Sequence, residues 1–233
     1  NRFDGPSLKT SMEVFKLGTP IGFGIFVELS MYSGAAIILA PLGENVVSGH
    51  AVALNIASIV FMLPLAIGLA ASTRVGNLLG EKRYIDARYS SKVSVYLCLI
   101  GALFNMTLLV TLGDKLISLY TTDLLVFSVA SHLIVFAAIF QIPDGIGMGS
   151  LGALRGYKDT FMTMVFIIIA YWVFAIPFGY YLTYYGINQP MGESGMWISM
   201  IVGLTIFATL ISRRLNKISG LHAVIRKEKV PQF

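Results

Sequence analysis

The chain has 233 residues, of which 56% are hydrophobic and only 12% are charged. Soluble domains carry about 25% charged residues. Together with a mean hydropathy of +0.76, the composition excludes a soluble domain and points to a lipid bilayer. The net charge of +5 invites a nucleic-acid partner, but the placement of the basic residues argues against one.

A spanning helix needs about 20 consecutive apolar residues. Six stretches qualify, at approximately 18–41, 50–73, 91–112, 124–154, 161–184 and 194–212. They are continuous, unlike the alternating segments of about ten residues in a membrane β-barrel. The pattern predicts an all-α integral membrane protein: a lead-in at 1–17, a six-helix lobe at 18–213 and a basic tail at 214–233. The chain opens on Asn1 without a signal-peptide pattern and reads as the later part of a longer polypeptide.

The connections set the expected orientation. Arg2, Lys9 and Lys16 precede the first span, and Arg74, Lys82, Arg83, Arg88 and Lys92 lie between the second and third. Arg155 and Lys158 follow the fourth, and Arg213, Arg214, Lys217, Arg226, Lys227 and Lys229 follow the sixth. With six crossings, all of these fall on one side, and Lys115 alone falls on the other. Lys and Arg concentrate in cytoplasmic loops, so both ends are predicted to be cytoplasmic. The basic balance is topology, with no nucleic acid as partner. Residues 81–92 (EKRYIDARYSSK) read as an amphipathic surface helix, and Tyr180, Tyr181, Tyr184 and Tyr185 as an interfacial aromatic belt. Cys98 is the single cysteine, and His50, His132 and His222 are scattered, so neither disulfides nor a metal cluster is expected.

Two acids stand inside the apolar runs: Glu28 in the first span and Asp144 in the fourth. An ionisable group at mid-membrane costs roughly 3 kcal/mol or more and usually faces a protein interior or an aqueous cavity. Glu28 lies about 18 Å along the helix from Lys16, and Asp144 about 16–17 Å from Arg155. Both therefore come out near the middle of a hydrocarbon core about 30 Å thick. Two carboxyl groups at one depth cannot comfortably both stay ionised unless a cation is held between them, so the pair is a candidate site for a proton or Na+. The alternative is structural, each acid hydrogen-bonding a neighbouring helix. The spans contain no Lys or Arg that would pair with either acid, the basic residues lying at their edges. The glycines at 145, 147, 149, 152 and 156 allow either close helix packing or a helix that bends around an ion. Asp123, after Thr121 and Thr122, reads as a helix N-cap, with a second reading as a charge at the outer mouth of an ion or drug path.

Three segments carry a family resemblance. They are VSGHAVALNIASIVFMLPLAIGLAASTRVGNLLGE (Val47 to Glu81), QIPDGIGMGSLGALRGYKDT (Gln141 to Thr160) and GIFVELSMYSGAAIIL around Glu28. With the order of the spans, they resemble the C-terminal lobe of a multidrug and toxic compound extrusion (MATE) transporter of the bacterial NorM-like branch, over roughly residues 10–215. The resemblance implies twelve spans in two lobes around a cavity. It implies exchange of Na+ or H+ for cationic amphipathic drugs across the bacterial inner membrane, with no other cofactor. It also implies an N-terminal lobe as partner, a coupling-cation site at the acids matching Glu28 and Asp144, and a drug or ion path near the acid matching Asp123. The sequence departs from the family pattern at Phe140, where some members have Tyr, and at Ala51, where many have Gln.

The expected function is thus a cation-coupled multidrug antiporter. The alternatives are a lipid or lipid-linked oligosaccharide flippase, disfavoured by the lack of basic residues within the spans, and a passive channel or structural subunit. An enzyme is not expected, since no nucleophile set, nucleotide loop or metal cluster appears.

Overall fold

Lipid offers no hydrogen bonds, so a backbone crossing it must satisfy itself. Each apolar run closes its own helical ladder, and the computed structural model contains no strand among the described residues. It describes the backbone of residues 7–227 and the side chains up to residue 222. The side chains of Arg2, Arg226, Lys227 and Lys229, used above to orient the chain, lie outside that range.

The elements are α1 (Leu8–Leu39), a 3-10 turn (Ala40–Leu42), α2 (Glu44–Gly80), α3 (Tyr84–Ser118), α4 (Leu124–Gly156), α5 (Thr160–Ile168), a π-helical segment (Ile169–Ala175), α6 (Ile176–Tyr184) and α7 (Gly192–Lys227). The run from Thr160 to Tyr184 forms a single span, giving six helical stretches long and apolar enough to cross a membrane.

The helices outrun the apolar stretches. α1 begins at Leu8, α2 at Glu44, and α7 continues through most of the residues expected to form a tail. Hydropathy marks where lipid ends, whereas a helix ends where the backbone meets a breaker. Residues 8–17 (LKTSMEVFKL) contain good helix formers and no Gly or Pro. Elongation past the membrane edge is then favourable, because nucleation has already been met. For the same reason residues 81–92, read as an amphipathic surface helix leading into the third span, are helical from Tyr84 onward as the first turns of α3. Between α1 and α2 the chain reverses at Gly43, whose φ of 114° a side chain would oppose.

α4 sits at the centre, packed against α2, α3 and α7. Its glycines make this possible. A Cβ on Gly145 would strike Ala102 and the Cys98 carbonyl of α3, and one on Gly149 would strike Val95 of the same helix. Four-residue spacing repeats at Gly152, which lies against Gly68 of α2, and at Gly156, against Val75 of α2. Small residues four apart let helix backbones approach closely where apolar burial gives no net drive between helices. Packing is therefore what these glycines do here, and α4 runs through Pro143 as one helix. On the Gly156 side, Asp159 accepts from Arg214 Nε at 2.6 Å, tying the α4–α5 turn to α7.

Candidate functional site

Three helices each present one stripe to a shared cavity of about 720 Å³. From α1 come Ile25, Glu28, Leu29, Tyr32 and Ser33; from α2 come Leu54, Ala57, Ser58, Phe61, Met62 and Leu65. From α4 come Phe140, Asp144, Met148, Leu151 and Arg155, and α7 adds Phe207. Steps of three and four residues place each set on one helix face. Both acids singled out by their cost in the membrane thus meet at one cavity, with Asp144 only 7% exposed. The Asp144 carboxyl group lies within electrostatic reach of Glu28.

The structural alternative required each acid to be held by a hydrogen bond. Among the described residues, neither carboxyl group accepts a hydrogen bond or closes an ion pair. Their oxygens face the cavity instead. Neighbouring polar groups spend their bonds elsewhere. Gln141, one turn from Asp144, is joined by Asn105 Nδ2, which also donates to the Val60 carbonyl at 2.7 Å.

An aromatic series runs from the cavity lining into the core. The ring of Tyr32 lies 6.4 Å from that of Phe140, Phe140 lies 6.2 Å from Trp197, and Trp197 lies 5.7 Å from His50. Trp197 is fully buried and its Nε1 donates to His50 Nδ1 at 3.1 Å. The π-helical segment abuts the same region. It precedes Pro177, which cannot donate to the ladder, and π turns of this kind recur at functional sites. Trp172 Nε1 in this segment donates to Ser30 Oγ at 3.1 Å, two residues from Glu28, and Tyr171 packs its ring 5.7 Å from that of Phe207.

The sequence candidate Asp123 lies apart from the cavity lining, as does His132. Asp123 is the N-cap of α4, accepting from the amides of Leu125 at 2.8 Å and Val126 at 3.2 Å. His132 bonds Ser194 through Nε2 at 2.8 Å. Two lining residues escaped the sequence reading. Tyr32 follows Glu28 by four residues and so shares its face, bringing a phenol into the cavity where Phe140 offers none. Arg155 follows Asp144 by three helical turns and lines the same cavity. Among the described residues no Lys or Arg closes an ion pair with either acid, yet a guanidinium shares their cavity. Depth was counted from Cα positions, and a long side chain covers several ångströms beyond its own. No group of three or more His, Cys, Asp or Glu suited to a metal occurs among the described residues. Two carboxyl groups with phenol and hydroxyl neighbours suit a proton or one hard cation bound through oxygen.

A family model described as MatE matches residues 20–181. The chain belongs to the MATE family. Among its relatives, the multidrug resistance protein NorM of Vibrio vulnificus (strain YJ016) is 42% identical over 215 residues, which is 92% of this chain and 47% of the relative. The multidrug resistance protein PmpM of Pseudomonas aeruginosa is 38% identical over 218 residues, 93% of this chain and 46% of the relative. The chain spans about half the length of the curated relatives it matches. The crystal structure of the eukaryotic MATE transporter AtDTX14 superposes with a TM-score of 0.81 at 21% identity, covering 94% of this chain and 50% of that one. A MATE protein crystallised in a bent conformation superposes with a TM-score of 0.84 at 16% identity, covering 95% of this chain and 49% of that one. These likenesses establish the fold: this is a multi-pass membrane chain of six MATE helices, in a family whose members have twelve helices in two lobes.

Proposed function

We propose that this chain is the C-terminal six-helix lobe of a cation-coupled multidrug antiporter, with Glu28 and Asp144 as the coupling site. The observation that carries the reading is a pair of unpartnered carboxyl groups on one largely apolar cavity. Phe61, Phe140, Phe207, Met62 and Met148 offer aromatic and thioether surface to the flat, apolar body of an amphipathic drug. The acids offer charge to its cationic end. Relatives at 36–42% identity bear the name multidrug resistance protein, which agrees with such a cargo.

Na+ or H+ enters the pair and neutralises it, and the drug's cationic end then loses its attraction to the cavity. Each ligand lowers the other's affinity by the same factor. The six-helix N-terminal lobe supplies the facing half of the cavity. On the positive-inside pattern both ends of this chain lie in the cytoplasm, the membrane being the bacterial inner membrane. Asp123, exposed at the far end of α4, offers a negative charge where ions would approach. Arg155 is the one basic residue on the cavity against two acids, so the balance still favours cationic cargo over the phosphate of a flippase substrate.

The test is ethidium efflux from proteoliposomes holding the two-lobed transporter, with Na+ and pH gradients imposed separately. Asp144→Asn and Glu28→Gln are each expected to reduce gradient-driven efflux to the level of empty vesicles. Wild-type gradient dependence in either variant would remove the pair from coupling.

A further inference from the structure

Arg155 ends the stripe of α4 that carries Asp144. Residues 140, 144, 148, 151 and 155 follow one another at three- or four-residue steps and all line the cavity. Side chains on a helix lean toward its N-terminus. At the last turn of α4 that direction leads back into the membrane, away from the surface a positive-inside arginine would seek. Its Nε is buried and has no hydrogen-bond partner. Arg214, one helix away, satisfies the same group on Asp159 at 2.6 Å. Arg155 closes no ion pair among the described residues, yet its guanidinium and the Glu28 carboxyl feel each other's charge. The titratable side chains on the cavity are Glu28, Tyr32, Asp144 and Arg155, from α1 and α4; those from α2 and α7 are not titratable.

We infer that Arg155 is a resident counter-cation of the Glu28–Asp144 site, its guanidinium acting on the carboxyl pair across the shared cavity and opposing the coupling cation that binds there. The inference rests on the coupling-site reading above. Its consequence is a charge count. Two ionised carboxyl groups and one guanidinium leave one negative charge, so a single Na+ or a single proton neutralises the site. Without Arg155 the same pair needs two. The tethered guanidinium also competes with the incoming cation, which holds affinity down and lets the cation leave on the far side of the cycle. Neither role follows from a topological anchor, which needs its charge at the membrane surface and not on the cavity.

The experiment measures ethidium efflux by the two-lobed transporter in proteoliposomes, titrating Na+ at fixed pH and pH at fixed Na+. Arg155→Gln is expected to lower the half-saturating concentration of the driving cation by on the order of tenfold, as loss of one nearby charge at intermediate dielectric predicts. Arg155→Lys, which keeps the charge, is expected to stay near wild type. A fall in maximal efflux with no move in the half-saturating concentration would assign Arg155 a structural role and overturn the inference. Should Arg155→Gln fail to accumulate in membranes, the wild-type protein still decides. Isotopic Na+ bound at saturation, summed with protons taken up, should total one charge at this lobe's acid pair, taken as the charge lost in Glu28→Gln/Asp144→Asn; two charges overturn it. If Glu28→Gln and Asp144→Asn leave gradient dependence intact, the coupling-site reading fails. If they abolish it while Arg155→Gln shifts nothing, the counter-cation alone fails.

Discussion

Val60 illustrates how the chemistry at one residue is completed from another helix. Pro64 has no amide hydrogen, so the carbonyl four residues earlier loses its ladder partner. In lipid that carbonyl has no water to turn to. Asn105, 2% exposed on α3, supplies the donor at 2.7 Å. Asn105→Ala should therefore cost about 1–3 kcal/mol, the range for leaving a buried acceptor unsatisfied. Thermal unfolding of the purified protein checks this, and an unchanged Tm would mean that the carbonyl finds another donor. The acids behave in the opposite way. No donor reaches Glu28 or Asp144, although donors such as Ser30 and Trp172 bond each other close by. A carboxyl group left without a partner on an open cavity is available to something that arrives. Asp144→Asn, which removes the charge and keeps the shape, therefore belongs among the residue-scale tests, with loss of gradient-driven ethidium efflux as the expected result.

At the scale of elements, α4 matters because three helices press on it at once. Gly145 and Gly149 serve the contact with α3, and Gly152 and Gly156 serve the contact with α2. A methyl group at residue 152 would meet the backbone of Gly68, which cannot rotate aside as a side chain would. Gly152→Ala is expected to destabilise the protein by about 1–3 kcal/mol through overpacking. Gly22→Ala makes the control, because a Cβ there meets nothing within 4 Å, and it should be neutral or slightly stabilising. Equal Tm shifts for the two would show that helix propensity, not close approach, sets the effect. The spacing of these glycines was plain in the sequence. Their assignment to packing was not, since four-residue spacing serves a bending helix as well as a packed one.

At the scale of the molecule, the cavity is formed where α1 stands off from α2 and α4, α1 making its main contacts with α5 and fewer with α2. Ser33 and Ser58 are exposed on the cavity face, while Cys98, the single cysteine, is fully buried. Ser58→Cys in the two-lobed transporter should react with a water-soluble thiol reagent. Ethidium should slow that reaction several-fold, with labelling of the parent protein subtracted as background. Labelling of Ser58→Cys that ethidium does not slow would separate the cavity from the drug path. The charge pattern belongs to the same scale. Arg83 pairs with Asp86 at 2.8 Å and Glu81 at 3.1 Å on an exposed turn. Exposed pairs of this kind contribute little to stability, and the basic excess on that side is read here as orientation.

The sequence by itself determined the class, the number of spans and the two acids. Each rests on a cost that lipid imposes on a residue whatever its neighbours: about 20 apolar residues to cross, and a heavy penalty for a carboxyl group in the middle. The family was legible for a similar reason, because its marks are runs of consecutive residues, as in QIPDGIGMGSLGALRGYKDT. Helix ends were not legible, because past the membrane edge only local breakers stop a helix, and residues 8–17 contain none. Tyr32 and Arg155 were not found either, although each lies on an acid's own helix face. Which face of α1 looks across the cavity at which face of α4 is set by the packing of α1 on α5 and by the glycine contacts of α4 with α2 and α3. Only the packed tertiary structure turns two acids at one depth into one cavity with a guanidinium at its edge.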